Sequence, residues 1–280
     1  MGLSLIDNTK EYYSQTIGTI NNESVEYMTN TYKNCTNLKE IPKIAENMKF
    51  MSYTFVGCSS LTKVNNLPDS ITAMPEAFRG CANLIEIEKF PKSLTGLWYT
   101  FADCIKLSKV AEFPTNLSNM TGTFRDCESL KSVPSLPNAV TTLYQTFYSS
   151  GLEVAPIVPQ GVTDMSYAFG RCSNLKTYEG NQGADYDFSD FIIPNGVTNI
   201  KSFIEMTKIT KAPTIPASVK IMDSSFYNCS QLSGTIIINC NPTAWTQALY
   251  NTKITTISGS TTMQSQLLAS KTSNAENPTA

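Results

Sequence analysis

The sequence predicts an α+β repeat solenoid of about nine 23-residue coils with short strands and short helical turns, and three observations predict it. Cys35, Cys58, Cys81, Cys104 and Cys127 follow one another at intervals of 23 residues. An aromatic residue stands three positions before each of them. A proline recurs at a fixed place, as Pro68, Pro91, Pro114 and Pro137. A fixed period in the range of roughly 20–50 residues marks a chain in which each repeat is one coil stacked on its neighbour.

Aligned on the cysteines, one coil reads (V/L/I)-x-x-(M/L)-x-x-x-F-x-x-C-x-x-L-x-x-(V/I)-x-x-(L/F/I)-P-x-x. The aromatic position runs Tyr32, Phe55, Phe78, Phe101, Phe124, Phe147, Phe169, Phe203, Phe226, and the leucine position starts Leu38, Leu61, Leu84, Leu107, Leu130. One coil cannot bury these residues alone; stacking buries them as ladders. The pattern predicts two short extended stretches per coil, around L-x-x-V and V-T-x-M, with a short helical turn over x-x-x-F-x-x-C. Proline, with fixed φ and no N–H, ends an extended stretch and opens a polar corner such as Asp69-Ser70.

The cysteines read as packing thiols. Zinc sites draw on Cys or His pairs a few residues apart; here the closest pair, Cys229 and Cys240, is 11 apart and histidine is absent. The cysteine position is also exchanged, for Ser150, Met206 and Asn251 in later coils. Packing tolerates such exchange, whereas a metal ligand or nucleophile does not.

The ends and one coil depart from the repeat. Residues 1–24 are expected to form an N-terminal cap with a short helix around Leu5–Tyr13, residues 25–235 the solenoid, residues 236–270 a C-terminal cap and residues 271–280 a disordered tail. Within the C-terminal cap, a strand at 235–239, a helix from Asn241 to Tyr250 and a last helix over Thr261–Ser270 are expected. Coil seven carries an insertion, Tyr178–Asp190, and insertions in stacked repeats map to loops on one face, often the binding face.

Composition excludes several functions. Lys and Arg number 21 against 23 acidic residues with no basic run, so nucleic acid is not an expected partner. The absence of histidine removes the commonest general base. No phosphate loop, paired acid–base motif or metal spacing appears, and the chain is expected to be non-enzymatic and without cofactor or metal. No window approaches the ~20 apolar residues of a membrane span, so no membrane insertion is expected, and the N-terminus does not read as a signal peptide.

These coils resemble the bacterial leucine-rich repeats of the BspA-like class, V-T-x-I-x-x-x-A-F-x-x-C-x-x-L-x-x-I-x-I-P. Residues 162–175, VTDMSYAFGRCSNL, also follow the related surface-protein wording V-T-x-M-x-x-M-F-x-x-C-x-x-L. The resemblance covers about residues 25–235. It implies a recognition or adhesion role, binding a protein or carbohydrate on a bacterial cell surface or a phage particle, and it carries over no catalytic residues. The alternative is a structural spacer in a phage tail or other assembly.

Two groups of residues are the expected contacts. Tyr53, Trp98, Tyr99, Tyr144 and Tyr167 fall just after the Met position, on the outer ridge, and amphipathic rings there suit sugar faces or protein hot spots; the other reading is that they pack between adjacent coils. The insertion adds Tyr178, Asp185, Tyr186, Asp187, Phe188 and Asp190, expected as a solvated loop. Glu40, Lys63, Glu86, Lys109 and Ser132 alternate in charge along one strip, which avoids like-charge neighbours in stacked strands.

Overall fold

The computed structural model describes residues 25–181 and 183–272; the expected cap at 1–24 and the residues from 273 onward lie outside the described residues. Two compact units divide the chain, Met1–Ala139 and Val140–Ala280. Both are built from coils of the same plan.

In the first unit the V-T-x-M stretches pair in parallel from coil to coil. Strands β1 (Tyr27–Thr29) and β2 (Phe50–Ser52) open this strip, and single bridges Phe50–Ala73, Ala73–Gly96 and Gly96–Asn119 continue it. The L-x-x-V stretches form a second parallel strip from β3 (Lys63–Val64), β4 (Glu86–Ile87) and β5 (Lys109–Val110). The second unit repeats both. One strip runs through Thr142, Asp164, Asn199, Ile221 and Ala244. The other starts with β6 (Val154–Ala155) beside β7 (Thr177–Tyr178), and β8 (Ser233–Ile237) pairs with β9 (Lys253–Ser258) farther on. At the proline corner the carbonyls of Pro68, Pro91, Pro114, Pro159, Pro194 and Pro216 each accept the N–H three residues on, closing a turn. Proline fits there because its carbonyl is used while its missing N–H is not needed.

The predicted helical turn is replaced by a run of β-turns. Cys81 N–H donates to the Phe78 carbonyl at 3.1 Å, Arg79 to Glu76 at 3.3 Å and Ala77 to Met74 at 3.2 Å. Two residues per coil hold positive φ, four positions apart: Tyr53 and Gly57, Glu76 and Gly80, Tyr99 and Asp103, then Tyr167 and Arg171 or Gln247 and Asn251 later on. An α-helix needs unbroken negative φ, so this spacing forbids one. The energetic return comes from the next coil. Phe78 N–H donates to Thr100 O at 3.0 Å and Gly80 N–H to Ala102 O at 2.8 Å, so alternate backbone groups pair as in a sheet. The single described helix, α1 (Gln264–Ala269), lies within the predicted last helix. The expected helix at Asn241–Tyr250 is instead another turn of this kind, with Ala248 N–H bonded to Trp245 O.

Side chains inside the coil form continuous ladders. Tyr32, Phe55, Phe78, Phe101 and Phe124 are fully buried and stack with centroids 5.2 to 6.0 Å apart. The cysteines are more than apolar filler. The thiols of Cys58, Cys81, Cys104, Cys127 and Cys172 each donate to the carbonyl of the aromatic residue one coil earlier, for example Cys81 to Phe55 at 3.2 Å and Cys104 to Phe78 at 3.1 Å, and Cys229 donates to Ile204 in the same place. A second ladder went unread in the sequence. Buried Thr54, Thr100 and Thr123 donate to the carbonyls of Met28, Met74 and Leu97, again one coil back.

Coils eight and ten correct the sequence alignment. Met206 and Asn251 hold positive φ, 56° and 54°, and occupy the place before the cysteine position. That position is taken by buried Thr207 and Thr252, and the aromatic position by Ile204 and Leu249. Thr207 Oγ1 lies 3.5 Å from Cys229 Sγ, as Ser150 Oγ lies 3.5 Å from Cys172 Sγ. Where a hydroxyl replaces the thiol the following apolar residue comes one place sooner, at Leu152, Ile209 and Ile254.

Burial pushes the thiol pKa up to about 12 at Cys172 and about 11 at Cys229 and Cys240, and higher still along the first ladder. Only the thiolate is reactive. Titration with a chromogenic disulfide reagent at mildly alkaline pH should therefore find at most half-exposed Cys35 in the folded chain and all eight thiols in denaturant. Prompt native reaction of a second thiol would contradict the ladder.

Candidate binding surfaces

Three surfaces gather the residues that the sequence singled out. The alternating strip lies in the first unit, with Lys63 opposite Glu86 and Glu86 opposite Lys109 in register. Lys63 pairs with Glu88 at 2.8 Å and Lys106 donates to Asn83 at 2.7 Å. A groove of about 640 Å³ runs here, but its lining mixes Lys39, Lys63 and Lys106 with Glu40 and exposed Ile85. Three lysines stand against one glutamate in this lining, but Lys63 and Lys106 already have partners in Glu88 and Asn83, so the groove favours no class of ligand.

The ridge of the first unit is more selective. Tyr53 and Trp98 are 38% and 37% exposed, and Tyr99 is half-buried. The fold itself places them, because the ridge is the outer side of the β-turn run. Trp98 lies flat over Gly96, where a Cβ would come within 2.0 Å of its ring, and Tyr99 covers Gly122 at 2.3 Å in the same sense. Gly122 also holds φ 59°, so any side chain there would both strain the backbone and displace the tyrosine. Tyr53 donates to the Glu76 carboxylate, which pushes its hydroxyl pKa up. Arg79 bridges Glu76 at 2.9 Å and Asp103 at 3.1 Å. Glu76, Arg79, Tyr99, Asp103 and Arg125 surround a depression of about 250 Å³.

In the second unit Tyr144 and Tyr167 meet edge-on at 6.1 Å, Tyr148 meets Tyr167 at 5.7 Å, and the Arg171 guanidinium sits 5.6 Å above the Tyr148 ring. Tyr148 and Arg171 were not anticipated. The ridge position one after the aromatic ladder could have shown Tyr148, since it also carries Tyr227 and Tyr250, which stack at 5.1 Å.

The insertion is not a solvated loop. Asp187 bridges Lys211, Phe188 N–H donates to Lys211 O at 3.2 Å, and Thr210 N–H donates to Tyr186 O at 2.8 Å. Tyr186–Asp187 thus adds a rung to the strip that holds β7, while on the turn side Phe169 N–H bonds directly to coil eight at Phe203 O, 2.8 Å. Phe188 is fully buried beneath this rung, against Tyr178 at 5.3 Å and Phe191 at 5.7 Å. It is core and leaves the set of expected contacts. Asp187 accepts both the N–H and the hydroxyl of Ser189, which holds its carboxyl below the usual range. Asp185 and Asp190 are exposed, and Tyr178 and Tyr186 half-buried. Between the insertion and coil six lies a depression of about 510 Å³, lined by Ile157, Val158, Tyr178, Glu179, Asp190, Phe191 and Ile192.

Among the described residues no three His, Cys, Asp or Glu side chains are placed to hold a metal ion, and no helix is long and apolar enough to cross a membrane.

A family model described as the BspA type leucine rich repeat region matches in six copies, over residues 11–123, 49–176 and 166–270. No curated protein matches the chain. Similar solved structures include a leucine-rich repeat protein from Bacteroides ovatus ATCC 8483, 18% identical over 82% of this chain and 70% of that chain, TM-score 0.45. A T. pallidum leucine-rich repeat protein is 21% identical over 74% and 71%, TM-score 0.41. A leucine-rich cell surface protein from Faecalibacterium prausnitzii A2-165 is 17% identical over 81% and 86%, TM-score 0.34.

Proposed function

The chain belongs to the BspA-type leucine-rich repeat family, and from that premise we propose that it is a non-enzymatic recognition module of a cell or particle surface whose partner is a protein. The observation that carries this reading is the ridge of the first unit, where Tyr53 and Trp98 stand exposed and Arg79 is fixed by two carboxylates. Trp, Tyr and Arg are the residues that dominate binding energy at interfaces. Here they sit on backbone already held by coil-to-coil hydrogen bonds, so little further ordering is lost when a partner docks.

The test is binding of the labelled chain to intact cells, with and without protease or glycosidase treatment. The expected result is saturable binding that protease abolishes, with a Tyr53→Ala, Trp98→Ala double variant binding at least about tenfold more weakly and melting as the parent does. Binding lost to glycosidase alone would transfer the ridge to a carbohydrate ligand. Unchanged binding by the double variant would remove the ridge from recognition altogether and favour the spacer role.

A further inference from the structure

We propose that the depression beside the insertion receives one apolar side chain of a protein partner, presented from a lysine- or arginine-rich segment. This deepens the recognition reading and rests on it. The floor is apolar, from Ile157, Tyr178, Phe191 and Ile192. Ile157 and Ile192 are 61% and 68% exposed, among the most exposed large apolar side chains described, and both face this one depression. A lone exposed isoleucine needs no explanation; two converging on a cavity of about 510 Å³ form a patch that a partner can cover.

The rim sets the charge of that partner. Glu179 and Asp190 line the depression and no Lys or Arg does. Residues 178–190 carry four acids, Glu179, Asp185, Asp187 and Asp190, and no base. Lys176 and Lys211 stand outside the lining, Lys176 paired with Glu153 at 3.1 Å and Lys211 beside Asp187, so the two acids of the rim itself, Glu179 and Asp190, set its charge. An apolar floor within an acidic rim complements a side chain such as Leu or Phe flanked by basic residues. It opposes acidic segments and anionic sugars, which would meet like charge. The rim is also preorganised. Glu179 N–H donates to Ala155 O at 2.8 Å, the Glu179 carboxylate accepts Ile157 N–H at 3.4 Å, and the Asn181 side chain bonds Thr177 and Gly183.

An array of short peptides tests it on the full chain. One set places a single Leu, Ile, Phe or Trp between pairs of Lys or Arg; matched sets replace the bases by Glu, or the apolar residue by Ser. The basic–apolar set should bind at least about tenfold more tightly than either control and weaken as salt rises. Ile157→Ser with Ile192→Ser should abolish the preference for the apolar residue. Glu179→Gln with Asp190→Asn should abolish the preference for base over acid, and both double variants involve exposed or rim positions whose folding is checked by unchanged melting. Equal binding of acidic and basic sets, or variants that bind as the parent does, overturns the proposal.

The two readings fail separately. Trp98→Ala should leave peptide binding intact. Cell binding that survives the depression variants, with no basic–apolar preference on the array, would sink this inference and leave the ridge reading standing. A basic–apolar preference without any cell binding would do the reverse.

Discussion

Replacing Phe101 by alanine should lower stability by roughly 3–5 kcal/mol, the cost of deleting a phenylalanine from a packed core. Phe101 is fully buried, stacked on Phe78 at 5.6 Å and Phe124 at 6.0 Å, with the edge of Phe90 at 6.1 Å. In a one-dimensional core each rung has only its two neighbours, so the cavity cannot be filled from the sides by a distant layer. Relaxation would need a shift of the coil, and that would break bonds such as Phe101 N–H to Thr123 O at 3.1 Å. Urea unfolding followed by circular dichroism reads the loss, with Trp98→Ala as the surface control expected within about 1 kcal/mol of the parent. A change at Phe101 no larger than that control would mean that the stack contributes little beyond filling space.

The ladder was legible in the sequence because the same packing problem is solved repeatedly, and repetition exposes it. Phe78, Cys81 and Leu84 recur so regularly that their inward orientation follows from the period alone. The turn conformation was harder to read, since hydrophobic spacing over x-x-x-F-x-x-C suits a helical turn as well as the observed β-turns. A signal for it was present. The residue before the ladder cysteine is Asn34, Gly57, Gly80, Asp103, Asp126 or Asn228, the types that enter positive φ most easily, with Arg171 the exception in type, and each of them does so. A helix would not select them. Coil eight misled for a related reason. Phe203 and Met206 look like the aromatic and thiol positions, yet Met206 is 43% exposed and Ile204 and Thr207 go inside. Side-chain type prevails over backbone register only when the register is free to move, and here coil seven fixes it, through Arg171 N–H to Glu205 O at 2.8 Å.

Much less of the contact surface could be read. Tyr53 and Trp98 were placed outward because the ladder positions already fill the inside, which is an argument by exclusion and holds wherever the period holds. Within the insertion no period applies, and a mixture of acids and aromatics reads equally well as solvated loop or as rung. Tertiary pairing with Lys211 decides it, and nothing local to residues 178–190 encodes that pairing.

Phe188 is therefore the residue that separates the two descriptions most sharply. On a solvated loop, Phe188→Ala would change stability by no more than about 0.5 kcal/mol. Buried under the extra rung between Tyr178 and Phe191, it should cost roughly 3–5 kcal/mol, as core phenylalanines do. The same substitution should loosen Tyr178 and Phe191, which form part of the floor of the depression, and so weaken peptide binding without removing any exposed group. Asp185→Ala, on the same segment but exposed, should leave unfolding unchanged. Denaturant curves for the pair, with hydrogen exchange at the Thr210 amide that donates to Tyr186 O at 2.8 Å, distinguish a rung from a loop. Protection at Thr210 that falls in Phe188→Ala and holds in Asp185→Ala is the expected result. Equal protection in both variants would return the insertion to a loop and take from the depression the rigid floor on which a partner's side chain would rest.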